Sequence, residues 1–133
     1  MLAQQSATIA EYFVPGSEEM AKLPNELLTT IFDLQRQLLE RIDEATATES
    51  ALFELYGEIE ETIDYFEQLQ NARERADSYY LRLFTTLRQI YPSQPVAPRD
   101  SLELLARFIA DAEATVNAVE ATISEIRRDF NLL

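Results

Sequence analysis

Between Glu58 and Tyr91 the chain contains neither glycine nor proline. No other feature constrains the fold as much, because so long an uninterrupted run exceeds an ordinary strand and suits a helix. The scarcity of breakers extends to the whole chain. Glycine occurs twice in 133 residues, at Gly16 and Gly57, and proline only at Pro15, Pro24, Pro92, Pro95 and Pro98. Ala, Leu, Glu, Gln and Arg are abundant, and these favour helix. The expected fold class is all-α. The architecture is an antiparallel helical bundle with coiled-coil-like heptad packing, built from three long helices (the middle one long or kinked) or from four shorter ones.

The final helix is expected over 100–131. Leu102, Leu105, Ile109, Ala112, Val116, Val119, Ile123, Ile126 and Phe130 alternate spacings of three and four, which keeps one apolar stripe on one side of a helix about 48 Å long. Asp100 with Glu103 approximates a capping box. Arg127 and Arg128 fall in the last turn, where the helix dipole favours cations.

The middle segment, 48–91, opens on a second capping box, Thr46 with Glu49. Leu52, Leu55, Ile59, Thr62, Phe66, Leu69, Arg73, Ala76, Tyr80, Leu83, Leu87 and Ile90 then keep the same spacing. Read literally this is one continuous or kinked helix about 65 Å long. The alternative is a break near residues 70–75, marked by Arg73 on the seam, with Asn71 as a cap.

The first long helix is expected over 24–45, with Pro24 at its first position, Leu27, Ile31, Leu34, Leu38 and Ile42 inward, and Phe32 and Leu39 flanking. Residues 1–23 form an N-terminal arm, where Ile9, Tyr12, Phe13 and Val14 suit a short helix. A proline at every third position across 92–99 predicts a stiff polyproline-type connector of about 25 Å. SH3- and WW-type grooves read such an edge, but the flanking helices restrict access to it. All of this belongs to one domain, 1–133.

Cysteine, histidine and tryptophan are absent. That excludes disulfides, thiolate or imidazole metal ligands, and Ser-His-Asp or Cys-His nucleophiles. Two isolated glycines cannot build a phosphate-cradling loop. Lys22, the single lysine, stands beside Pro24 in an exposed connector, whereas a tuned lysine pKa needs burial. No catalytic residue, cofactor or metal is therefore expected. The net charge of −13 argues against nucleic acid and anionic membrane as partners, and no apolar run reaches the roughly 20 residues of a membrane span. Met1–Gln5 carries no basic side chain, so no secretory signal is expected, and a cytoplasmic location is the default.

The acidity is uneven. Between Glu40 and Glu67 ten carboxylates accompany Arg41 alone, whereas residues 72–100 hold five arginines and three carboxylates. On a continuous helix Glu54, Glu58 and Glu61 form one stripe, and Glu60, Asp64 and Glu67 another, each destabilised by like-charge repulsion. A solvated acidic face is the bland reading. The alternatives are a basic partner protein, a divalent cation, or Arg73, Arg75, Arg82 and Arg88 of a second copy packed antiparallel. Tyrosines adjoin other aromatic residues at Tyr65–Phe66 and Tyr79–Tyr80. One of each pair must stand at the edge of a seam, where interfaces are enriched in tyrosine.

The functional expectation is a non-enzymatic, cytoplasmic protein–protein interaction module: an adaptor, assembly or regulatory factor acting through helix faces. A homodimer is expected, with a basic protein as a further partner that the chain would inhibit. The candidate partner-binding residues are Glu54, Glu58, Glu61, Tyr56, Tyr65 and Tyr79. The alternative is an enzyme or ligand carrier with a carboxylate-only magnesium or calcium site inside the bundle.

Overall fold

A computed structural model describes residues 22–132. It contains three helices, α1 (Asn25–Tyr56), α2 (Glu60–Ile90) and α3 (Arg99–Asp129), and no strand among the described residues. Each helix packs on the other two. Side chains that meet across α1 and α2 pair early with late, as in Gln35–Tyr80 and Glu49–Arg73. Those across α1 and α3 ascend together, as in Arg41–Glu120 and Tyr56–Phe130. The bundle therefore runs up, down and up. The expected short helix around Ile9–Val14 lies outside the described residues.

The apolar stripe of α3 is the core-facing side. Leu102, Leu105, Ile109, Ala112, Val116, Val119, Ile123 and Ile126 are all buried. Opposite them α1 buries Leu27, Ile31, Leu34, Leu38, Ala45, Thr48 and Leu52, and α2 buries Thr62, Leu69, Ala72, Ala76, Leu83, Thr86 and Ile90.

The boundary between the first two helices differs from the one read from sequence. α1 does not stop near residue 45; it passes through Thr46 and Glu49 without interruption. The threonine hydroxyls fit inside a helix because each donates to the carbonyl four residues earlier: Thr46 to Ile42 and Thr48 to Glu44, both at 2.8 Å. Glu49 turns to Arg73 of α2 at 2.9 Å instead of back to a helix start. The true break is Gly57, whose φ of +70° and ψ of −174° lie in a region open essentially to glycine alone. Its N–H still bonds Phe53 O at 2.9 Å, closing the last turn.

Thr62 ties the start of α2 to that turn. Its fully buried hydroxyl accepts from Ile59 N–H at 3.0 Å and donates to Gly57 O at 2.9 Å. α2 then continues through residues 70–75 unbroken. The long helix expected over 48–91 is thus cut near its start, and the alternative break at Asn71 does not form. Leu55 and Ile59, placed on the seam by the spacing, lie in the last turn of α1 and the connecting turn, and both are exposed.

The proline-rich connector folds as a turn, not an extended rod. Ser93 N–H bonds Ile90 O and Gln94 N–H bonds Pro92 O, both at 3.0 Å, and Ala97 is buried in the core. Pro98 immediately precedes α3, and its carbonyl accepts from Ser101 and Leu102. Asp100 consequently sits inside the first turn, with no capping hydrogen bond from a side chain. At the other end Asn131 takes a φ of +57°, and Leu132 N–H reaches Arg127 O at 2.7 Å. That geometry terminates a helix and returns the apolar Leu132 to the core.

The core is divided into two apolar clusters. At the waist, α1 presents Arg41 where its spacing of three and four calls for an apolar residue. The Arg41 side chain is 11% exposed, bonds Glu120 of α3 at 3.0 Å and Glu44 at 3.4 Å, and leaves Nε without a partner among the described residues.

Candidate functional site

Gly57 determines how the candidate residues are arranged. Because the chain reverses there, Glu54 stands on the last turn of α1, Glu58 in the turn and Glu61 on the first turn of α2. The single-helix stripe read from their spacing does not exist. All three are exposed, as are Glu60, Asp64 and Glu67. None of these six takes part in an ion pair among the described residues, where the pairs belong to Arg36, Arg41 and Arg73. Part of their mutual repulsion is offset locally, since Glu60 and Glu61 occupy the first turn of α2, where the helix dipole favours anions.

Tyr56 and Tyr65 are brought together. Both rings meet Phe130 at the end of α3: Tyr56 at 5.3 Å between centroids, Tyr65 at 4.8 Å and nearly edge-on at 85°. Phe53 and Phe66 meet beside them at 6.5 Å. These contacts close the bundle end, and they leave Tyr56 exposed at its rim and Tyr65 partly buried. Tyr79 does not join them. It packs on the other core cluster, with the Arg82 guanidinium 4.7 Å from its ring centre, and so stands apart from the acidic turn.

The spacing missed the apolar part of this surface. Phe53, Leu55, Tyr56, Ile59 and Ile63 are between 43% and 62% exposed around the α1–α2 turn. Five large side chains in and beside one turn, set among six carboxylates, form an apolar tip with an acidic rim. The signal was present in Gly57, because a helix that stops there cannot bury Leu55 and Ile59 along a continuous seam.

Arg73 pairs within the chain, with Glu49, so it is not held in reserve for a second copy. Among the described residues no group of three or more aspartates and glutamates is arranged to hold a metal ion. The carboxyl groups with shifted pKa lie away from the tip. The hydrogen bond from Arg36 holds Asp33 below the usual carboxylate range, and burial raises Glu113 on α3. No described helix is long and apolar enough to cross a membrane. Compared with protein-family models, curated proteins and solved structures, the chain matches none.

Proposed function

We propose that this chain is a non-enzymatic, cytoplasmic protein–protein interaction module whose principal contact surface is the tip at the α1–α2 turn. The observation that supports this reading most is the exposure of Phe53, Leu55, Tyr56, Ile59 and Ile63 together, inside a rim of carboxylates that form no ion pair among the described residues. Large apolar patches rimmed by polar groups mark interaction sites. The rim selects a basic partner and speeds its encounter, while the apolar centre supplies affinity. Bound there, the chain would mask the basic surface of its partner, as an acidic inhibitor does.

The test uses the full chain and a labelled amphipathic helical peptide of lysine and leucine, followed by fluorescence anisotropy. Binding is expected to weaken at least about tenfold between about 50 and about 300 mM NaCl. Leu55→Ser with Ile59→Ser should abolish it, and Glu58→Gln with Glu61→Gln should flatten its salt dependence. Binding untouched by all four substitutions would remove the tip from consideration.

Self-association is a second reading, favoured by a separate observation. Phe32, Leu39, Leu81 and Phe84, away from the tip, are each about half exposed. A homodimer would cover them.

A further inference from the structure

The outer face of the α1–α2 pair, opposite α3, carries its largest apolar side chains at the end away from the turn, with Ile63 exposed at the turn end. On α1, Phe32 and Leu39 flank Gln35, whose amide donates to Tyr80 O of α2 at 3.5 Å. The helical repeat therefore places them on the side of α1 that turns toward α2. On α2, Phe84 lies eleven residues, about three turns, beyond Arg73, which pairs with Glu49 of α1. Phe84 is 46% exposed and Leu81, beside it, 51%.

Charge is distributed along this face with opposite signs at its ends. Near Phe84 the Arg88 guanidinium lies 5.6 Å from the ring centre, and Arg88 forms no ion pair among the described residues. Toward the turn, Glu60 and Glu67 flank Ile63 and are likewise unpaired.

We propose that a second copy of this chain covers this face, packed antiparallel about a two-fold axis through the middle of α2. The midpoint of α2 is Arg75. Two-fold symmetry about it sets Phe84 level with the second copy's Phe66, and Arg88 level with its Thr62, within about one and a half turns of both Glu60 and Glu67. The pairing occurs twice by symmetry. Glu74 and Asp77, exposed near the axis, meet like charge in either orientation, so the ends decide: a parallel arrangement sets Glu60 and Glu67 against their own copies, whereas the antiparallel one sets them against Arg88. The face has the necessary size. Two helices of about 46 Å side by side, axes about 9 Å apart, offer about 800 Å² per copy, the area of a standard stable interface. This proposal deepens the self-association reading and rests on it; because it shares Ile63, Glu60 and Glu67 with the tip, a second copy and a basic partner compete for that end of the face.

The test is absolute mass by light scattering on the full chain across a concentration series, with helicity followed by circular dichroism. The expected mass is twice the 15.3 kDa of one chain. Phe84→Asp should return it to one chain at unchanged helicity, and Leu81→Gln serves the same purpose if Phe84→Asp loses helix. Arg88→Glu should weaken association at least about tenfold, and adding Glu60→Arg with Glu67→Arg to that variant should restore it. A single-chain mass up to about 100 μM, far above the dissociation constants usual for interfaces of this area, overturns the proposal while peptide binding at the tip stands. A dimer indifferent to Phe84→Asp, Leu81→Gln and Arg88→Glu overturns this face, and failure of the charge-swapped variant to recover overturns the antiparallel register.

Discussion

Gly57 decides where α1 ends, and the reason is conformational. A β-carbon built there meets nothing within 4 Å, so a side chain would fit. What it could not adopt is the backbone, with φ at +70° and ψ at −174°. Gly57→Ala is expected to cost about 1–3 kcal/mol in urea denaturation. Gly57→Asn should not recover the loss, because asparagine tolerates the left-handed helical region, where ψ is near +47°, and not this one. Glu113 offers a residue-level test of sign. Burial raises its folded pKa above the ordinary 4.5, so the native state binds its proton more tightly than the unfolded state does. Its contribution to stability is most favourable at acid pH and declines as pH rises from about 4.5 through the raised value. Glu113→Gln should therefore stabilise the fold at pH 7, by less than about 1 kcal/mol given the partial exposure, and thermal melts at pH 4 should show no gain. Both residues were plain in the sequence as residues. Neither the φ of one nor the burial of the other can be read from spacing.

At the scale of elements, α3 was legible because one periodic stripe determined its path, and all eight stripe residues from Leu102 to Ile126 are buried. The end of α1 was not legible, for a chemical reason. A threonine followed three residues later by glutamate reads as a helix start, yet the same hydroxyls are satisfied inside a helix by the carbonyl four residues back. Local sequence does not choose between these bonds; packing does, because burial of Ala45, Thr48 and Leu52 continues the seam of α1 past the apparent cap. The real start of α2 relies on Thr62, which lacks the usual sequence signature because the residue before its helix is Ile59. Thr62→Val keeps the shape and leaves Ile59 N–H and Gly57 O without their partner. A loss of about 1–3 kcal/mol is expected in urea denaturation. The waist behaves differently. Replacing buried ionic groups by apolar ones of similar volume is often neutral or better, and the carboxylates around Arg41 remain in contact with water. Arg41→Met should therefore match or exceed the parent in stability, measured the same way.

Across the whole molecule, a net charge of −13, with six carboxylates gathered around one turn, is a source of self-repulsion. Salt should accordingly stabilise the chain, with the melting temperature rising between about 10 and about 300 mM NaCl. Glu58→Gln with Glu61→Gln should reduce that rise. The candidate site was legible only in part. Glu54, Glu58, Glu61 and Tyr56 do share the tip, with Tyr65 at its edge, but the apolar side chains among them had been assigned to a seam, and Tyr79 lies on the other core cluster. By itself the sequence determined that the described residues are mainly helical, and it determined the inward face along most of each helix, because both follow from propensity and from a repeat of 3.6 residues along one chain. It also determined the chemistry that no arrangement of these residues can perform, because a chain without cysteine or histidine lacks their donors in any fold. Tertiary structure decided where α1 ends, which threonines cap and which lie within a helix, and that Leu55 and Ile59 face outward. Those outcomes depend on which neighbour is available to bury a side chain or satisfy a hydroxyl, and neighbours exist only once three helices have packed.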